Sequence, residues 1–437
     1  MSLSEPSADA GLLRLQADSF RYFLHETDGS TGLVRDSTHA GSPSSIAAVG
    51  LALAAYTVAA ERGLMTRPEA AARTLTTLRF FRNSPHGPES DATGYKGFYY
   101  HFLHMSSGRR AWRCELSTMD TAYLLAGALT AAAYFDARQS EEREIREIAD
   151  ALYRRADWTW ACNRAATVTH GWKPESGFLR YRWRGYSEAL LLYLLALGSP
   201  THPLPRASYA EWAKTYRWRK LYGIELLYAG PLFIHQLSHV WVDFRGLSDA
   251  FLRAKGIDFF ENSRRATLAH QRYAMRNPRK FKQYGELCWG ITASEGPGPA
   301  VLAIDGVERR FFDYRARAIP NGPDDGTLAP WAVVASLPFA PEIVQATMRN
   351  IDAMGVGQQS PYGFEATFNP TFPSNSGKPC GWVSPRNFGL NDGPIVLMIE
   401  NYLSGLLWRL TRRCPYLVTG LRRAGFRGGW LEGRSKV

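Results

Sequence analysis

Apolar residues recur every three or four positions through most of this chain, the spacing of helices that bury one face. The pattern predicts about a dozen helices, and prolines at 330, 341 and 394 are placed in first turns. The predicted bounds are Leu12–His25, Ser45–Arg62, Arg67–Phe81, Leu116–Phe135, Glu141–Trp158, Ser187–Leu197, Tyr209–Thr215, Leu232–Trp241, Asp258–Arg276, Pro330–Leu337, Pro341–Asp352 and Pro394–Thr411. No alternation of apolar and polar residues lasts long enough to predict a sheet.

Long loops separate these helices, and loops of such length are usually functional. The longest are predicted at Asn83–Cys114, Asn163–Tyr186, Phe281–Gly326 and Gly355–Asp392. An even series of helices with elaborated alternate connections predicts an all-α fold of six helical hairpins closed into a ring, with the loops forming a cleft on one face. An open solenoid is the alternative, but no repeat of about 34 or 40 residues supports it.

The chain is rich in aromatic residues, which make up 13% of it. Many of these residues stand beside Gly, Pro and Asp in predicted loops. An exposed ring needs a reason, and the C–H faces of sugars stack on aromatic planes. The net charge of +12 raises nucleic acid as a partner. The basic residues are scattered doublets without a nucleic-acid-binding motif, so a solvated basic surface is favoured and no nucleic-acid partner is expected.

The five cysteines form no Cys-x-x-Cys spacing, and their odd number argues against a complete disulfide framework. We expect buried, reduced thiols. No secretory leader is visible at the N-terminus, and the apolar segment 45–60 is too short to span a bilayer. The sequence therefore predicts no stable membrane insertion and leaves the location cytoplasmic or unknown.

Glu115 and Asp120 form the first candidate catalytic pair, in the segment CELSTMDTA. Glu115 is expected at the mouth of a helix, with Asp120 about one and a half turns further on, rotated by roughly 140°. The alternative is that both are first-turn acids favoured by capping and by the helix dipole. That alternative is less natural for Asp120, because an apolar run follows it and directs it towards burial.

Glu188 is the second candidate, since it opens a helix that is otherwise almost wholly apolar in the segment GYSEALLLY. A carboxyl group in such a place is partly desolvated, which raises its pKa and suits a general acid near neutral pH. A capping role next to Ser187 is the alternative. Tyr186, beside it, is a candidate for binding substrate.

Further acids stand in loops rich in glycine and aromatic residues, where each could either brace its loop or bind a substrate hydroxyl. They are Glu175, Glu286, Asp324, Asp325 and Asp392. The surrounding rings are Tyr95, Tyr99, Tyr100, Trp112, Trp172, Trp289, Tyr362, Phe364 and Trp382. Flat rings for stacking, acids for hydroxyl groups and two acids for bond cleavage are what a sugar-cleaving site requires.

Motifs for metal, nucleotide and serine-hydrolase chemistry have less support in the sequence. His235 and His239 have the i, i+4 spacing of a zinc-binding helix, but Gln236 stands where a metalloprotease has its general-base Glu. Asp243 could complete a metal site, although a pair of cleft or core histidines is favoured and no metal is predicted. No phosphate-binding glycine loop and no Gly-x-Ser-x-Gly elbow occurs.

Several stretches together resemble the bacterial glucoamylase-like family, which includes endo-β-1,2-glucanases and the C-terminal domain of cyclic β-1,2-glucan synthases. They include SPSSIAAVGLALAAY, CELSTMDTAYLLAGALTAAAYF, THGWKPESGFL, GYSEALLLYLLALGSPTHPLP and YGELCWGITASEGPGPAV. The resemblance implies a single (α/α)6-barrel catalytic domain over residues 1–437, with its core at about 12–430. It also implies action on β-glucan without a cofactor, with Glu188 at the catalytic acid position and with Glu115 and Asp120 in the neighbouring acidic patch.

Three activities remain open at this point. An endo-acting hydrolase of β-1,2-glucan is the first expectation. Transglycosylation, by chain transfer or ring closure, is the second, because the resemblance extends to synthase domains. A glucan-binding module without turnover is the third, although binding alone does not need three acids at the starts of neighbouring helices. The oligomeric state is not predicted.

Overall fold

The computed structural model describes residues 8–374 and 377–433, and it is mostly helical. The α-helices are Ala8–His25, Ile46–Glu61, Arg67–Asn83, Thr118–Tyr134, Ser140–Arg155, Trp158–Ala161, Ala189–Gly198, Arg206–Ala213, Leu237–Trp241, Ala250–Ala254, Phe259–Arg276, Pro330–Val334, Pro341–Ala353, Gly389–Leu403, Leu406–Arg412 and Pro415–Arg423. Two 3-10 segments, Leu232–His235 and Gly429–Leu431, join them. None of the helices in these described ranges is both long and apolar enough to cross a membrane.

Most predicted helices are confirmed to within a few residues, but two are divided. The predicted helix 232–241 is a 3-10 turn followed by a separate α-helix from Leu237. The predicted helix 394–411 breaks at Gly405, whose φ of 69° lies in the left-handed region that glycine adopts without strain. Its first part begins at Gly389, so the first-turn placement of Pro394 was wrong and this proline lies inside the helix.

The expectation that the chain has no sheet was wrong. A five-stranded antiparallel sheet is formed, in spatial order, by Gly94–Tyr95, Phe98–Tyr100, Leu116–Ser117, Gly171–Lys173 and Gly177–Phe178. Two-stranded pairs join Ser44–Ser45 to Phe102–Leu103, Trp218–Leu221 to Ile224–Leu227, Ala293–Ser294 to Arg315–Ala316, Ala300–Ile304 to Val307–Phe311, and Phe368–Asn369 to Trp382–Val383. Strands of two to five residues are too short for alternation to reveal.

The chain divides into two compact units. The described residues of the first fall within Met1–Tyr22, Trp218–Leu237 and Glu261–Ser404, and those of the second within Phe23–Arg217, Ser238–Phe260 and Gly405–Val437. All five cysteines of the sequence are described, and each is free and buried, as predicted.

Within the second unit, two helices pack on the next helix but one. Ile46–Glu61 lies against Thr118–Tyr134, and Arg67–Asn83 lies against Ser140–Arg155. The first of these contacts is so close that a Cβ added at Gly127 would stand 2.0 Å from the carbonyl oxygen of Gly50. Small residues at this crossing bring two almost fully buried helices together, and one of them begins at the candidate acids.

The first unit contains a buried ion pair between Arg317 and Asp325, whose side chains are both fully buried. Two guanidinium nitrogens each lie 2.7 Å from an oxygen of the carboxylate. Asp325 also accepts hydrogen bonds from the backbone N–H groups of Phe312 and Thr327. These bonds compensate the desolvation of two charges, which would otherwise exceed their attraction.

Candidate functional site

Strand pairing in the second unit brings Glu115 to a histidine that the sequence reasoning did not select. Tyr100 pairs with Leu116, and the next residues outward are His101 and Glu115. The backbone N–H of His101 donates to the carbonyl oxygen of Glu115 at 3.0 Å. Their side chains meet as well, with Nδ1 of His101 3.0 Å from Oε1 of Glu115.

Asp120 lies in the first turn of the helix Thr118–Tyr134, with Ser117 as the N-cap. The Ser117 hydroxyl accepts from the backbone N–H of Asp120 at 3.1 Å and donates to the Asp120 carboxylate. Glu115 precedes this helix by a two-residue strand. The predicted rotation of 140° around one helix axis was therefore wrong, because only Asp120 is on the helix. His101 brings the two acids together instead, with its Nε2 3.6 Å from Oδ2 of Asp120.

Glu188 stands directly before the helix Ala189–Gly198, in which all ten residues are buried. The pKa of Glu188 is raised to about 7, chiefly by burial and also by the nearby charge of Asp120, while a hydrogen bond to its own backbone N–H opposes the rise. An apolar helix following the carboxyl group is the physical cause predicted from the sequence. At neutral pH a large fraction of this group holds its proton.

Tyr123 and Asp36 complete the cluster, and the sequence reasoning did not select them. Tyr123 lies one helical turn after Asp120, is 4% exposed and stacks on Trp241 at 5.4 Å. Burial raises the pKa of Tyr123 well above its usual value, and the charges of Glu188 and Asp120 add to this. The pKa of Asp36 is raised to about 6, chiefly by burial. The charge of Asp120 contributes to this rise, and the charge of His101 opposes it.

Burial and the neighbouring acids have opposite effects on the pKa of His101. Burial alone would lower the pKa of the imidazole, but Asp120, Glu115 and Asp36 raise it to about 9. Burial is the largest single effect on Glu115 and raises its pKa, but the hydrogen bond and charge of His101, a backbone hydrogen bond and the charge of Lys173 together keep that pKa below its usual value. The cluster thus combines a carboxyl group that holds a proton near pH 7 with an ionised carboxylate, as general acid–base chemistry requires.

The other predicted residues of the second unit have different surroundings. Arg110 holds both carboxylate oxygens of Glu175, at 2.6 and 3.1 Å. Tyr95 and Trp172 are partly exposed and lie with ring centroids 5.4 Å apart. Tyr186 is 9% and His239 1% exposed.

In the first unit, most of the predicted residues are buried. Trp289 is fully buried and donates its indole N–H to Thr347 at 2.8 Å, so its ring has no open face for stacking. Asp324 accepts from the hydroxyls of Tyr273 and Tyr284 at 2.7 and 2.9 Å. Asp325 is occupied by the ion pair described above.

Three more predicted residues of this unit differ in exposure. Glu286 is exposed and Trp382 is partly exposed. Asp392 is buried in the first turn of the helix Gly389–Leu403, not in a loop, and burial raises its pKa well above the usual value.

The histidine pair does not share one helix. His235 ends a 3-10 turn, and His239 lies on the short α-helix that follows. Burial lowers the pKa of His235 to about 4. The backbone carbonyl oxygen of Ala229, 3.3 Å from Nε2 of His235, has the opposite effect on this pKa. Throughout residues 8–374 and 377–433, no group of three or more His, Cys, Asp and Glu side chains is arranged to hold a metal ion.

The cluster is a candidate carboxylate acid–base site, and comparison with known sequences gives the family of the chain. A family described as "Putative glucoamylase" matches residues 180–415, more than half of the chain. The chain belongs to this glucoamylase-like family, which confirms the resemblance inferred from the sequence.

Individual relatives cover nearly the whole chain. The exo beta-1,2-glucooligosaccharide sophorohydrolase (non-reducing end) of Parabacteroides distasonis is 28% identical over 455 residues, which covers 96% of this chain and 58% of that protein. The chain thus spans less than two thirds of the length of this curated relative.

Solved structures of similar proteins match with high structural agreement. One is a "putative glucoamylase" of Bacteroides uniformis, with 30% identity, a TM-score of 0.86 and coverage of 98% of this chain and all of that one. Another is the endo-beta-1,2-glucanase of Chitinophaga pinensis in complex with sophorotriose and glucose, with 26% identity, a TM-score of 0.84 and coverage of 97% and 99%.

Proposed function

We propose that this chain is a glycoside hydrolase that cleaves β-1,2-glucan from within by carboxylate acid–base catalysis. The observation that carries the proposal is the pairing of Glu188, which holds a proton near pH 7, with the charge of Asp120 beside it. The names of the relatives support the substrate, because the C. pinensis structure is that of an endo-beta-1,2-glucanase and the P. distasonis protein is a sophorohydrolase.

In the proposed reaction, Glu188 donates its proton to the glycosidic oxygen as the bond from that oxygen to the anomeric carbon breaks. Asp120 is favoured over Glu115 as the partner, because the charge of Asp120 acts on Glu188. Asp120 either takes a proton from the attacking water or attacks the anomeric carbon itself. Proton NMR of the first product anomer distinguishes inversion from retention.

The sugar is proposed to lie against two rings of the second unit that keep part of a face exposed, Tyr95 and Trp172. In the first unit, Glu286 is exposed and Trp382 is partly exposed, and each is proposed as a separate sugar contact.

We propose further that the helices form a single (α/α)6-barrel catalytic domain over residues 1–437, with its core at about 12–430 and a cleft of loops on one face. The packing of Ile46–Glu61 on Thr118–Tyr134 and of Arg67–Asn83 on Ser140–Arg155 supports it, since hairpins arranged side by side produce that pattern. Matches to solved structures over 97–98% of the chain also support it.

Incubation with linear β-1,2-glucan tests the function. We expect short sophoro-oligosaccharides with steady growth of reducing ends. New chain lengths or rings without that growth would indicate transglycosylation, and sophorose alone from the first time points would indicate exo action. Saturable binding without turnover would make the chain a binding module, and cleavage of starch or β-1,3-glucan instead would overturn the linkage.

A further inference from the structure

His101 lies between two carboxylates of the cluster. Its Nδ1 is 3.0 Å from Oε1 of Glu115, and its Nε2 is 3.6 Å from Oδ2 of Asp120. A neutral imidazole has one N–H and one lone pair, and a lone pair facing a carboxylate oxygen is repulsive. With an oxygen opposite each nitrogen, this arrangement favours an imidazolium, which carries a proton on both nitrogens.

We propose that His101 is a positioning residue that holds Glu115 and Asp120 at a fixed spacing as a charged bridge between them. The inference rests on the proposed function in one respect, since one of the two acids that it holds, Asp120, is proposed to act on glucan. His101 itself needs no contact with the sugar. It acts through the carboxylates, which would repel one another without the positive charge between them.

The surroundings of His101 fix both its backbone and its ring plane. Its N–H is part of the strand pairing to Glu115, and the ring of Phe102 stacks on the imidazole with centroids 4.0 Å apart and planes 12° from parallel. The charged groups that face the imidazole are Glu115, Asp120 and, from the loop that precedes the helix Ile46–Glu61, Asp36. These three acids together raise the pKa of the imidazole to about 9 in spite of its burial.

Two amide variants each keep an N–H directed towards one of the two acids and remove the positive charge. The His101→Asn side chain places its N–H₂ near the Nδ1 position, towards Glu115, and the His101→Gln side chain places it near the Nε2 position, towards Asp120. Neither carries a charge, so both lose the bridge. We expect each to lower kcat on β-1,2-glucan by about 10- to 100-fold, because a misplaced catalytic group costs on that order, with KM changed less than threefold.

His104→Gln is the matched control, because His104 is exposed and three residues away, and its activity should stay within twofold of the original. Circular dichroism spectra and melting temperatures of the variants establish that they are folded. A His101→Gln enzyme with kcat within twofold of the original would overturn the positioning role.

A measurement on the enzyme alone separates this inference from the proposed function. With ¹³C-labelled histidine, the NMR resonance of His101, assigned by its loss in the His101→Asn variant, should remain that of an imidazolium at pH 7.5 and titrate above pH 8. Asp120→Asn should lower that midpoint. Titration of His101 below pH 7 in the original protein would overturn the bridge whether or not glucan is cleaved. A high midpoint in a protein inactive on glucan would retain the bridge and reject the hydrolase.

Discussion

The carboxylate of Glu115 lies 3.0 Å from Nδ1 of His101, fourteen residues earlier in the chain. The antiparallel pairing of the strands Phe98–Tyr100 and Leu116–Ser117 produces this contact, since Tyr100 and Leu116 are partners and the next residues outward meet. A sheet too short to predict thus determines which histidine faces the candidate acids. In glycosidase-type chemistry, the protonation state of each carboxyl group determines its role, so this contact bears directly on function.

Replacement of Glu188 by Gln should lower turnover on β-1,2-glucan by several orders of magnitude, because the amide has nearly the same shape but has no proton to donate. Reducing-end assays measure the effect. Glu211→Gln is the control, because Glu211 is an exposed acid on the helix Arg206–Ala213, and its activity should be unchanged. Near-normal activity of the Glu188→Gln variant would refute the assignment of the acid.

The pH dependence of activity should follow the proton on Glu188. With a pKa of about 7, activity should fall as the pH rises through 7 and the acid loses its proton. In Asp120→Asn, the descending limb should move to lower pH, because the neighbouring negative charge is removed. Profiles of kcat against pH for residual activity in that variant test the coupling, and a limb that does not move would disprove it.

The same carboxyl group should make stability depend on pH. The folded-state pKa of Glu188 is raised from 4.5 to about 7, so the folded state holds a proton that the unfolded state releases. The free energy of unfolding should therefore fall between about pH 4.5 and 7, by on the order of 3 kcal/mol from this group. Urea unfolding of the original protein and of Glu188→Gln at pH 4 and pH 8 measures this change. Between these pH values, the free energy of unfolding should fall less in the variant than in the original protein.

Gly127→Ala should destabilise the fold even though alanine is the better helix former. Its Cβ would stand 2.0 Å from the Gly50 carbonyl oxygen, and overpacking of this kind costs on the order of 1–3 kcal/mol. Gly11→Ala is the control, since this helical glycine has nothing within 4 Å of the added Cβ. That variant should gain about 0.5–1 kcal/mol in free energy of unfolding. Equal effects of the two substitutions would contradict the close packing.

The helices and the proposed acid were predictable from the sequence, because both depend on local pattern. An apolar run of helical spacing must bury a face wherever it occurs, and the run after Glu188 desolvates that carboxyl group without help from distant residues. The glucoamylase-like family was likewise identified from stretches that are continuous in the chain.

Tertiary structure alone decided the charges around the candidate site. Asp36 and His101 stand in segments without a recognisable motif, and their effect on Glu115 and Asp120 depends on strand pairing and on the start of a helix. The burial of individual side chains was not predictable from the sequence either, since Trp289, in a glycine-rich loop segment, is a core residue. Electrostatic energies and solvent exposure depend on separations in space, and residues far apart in the chain become neighbours only when the chain has folded.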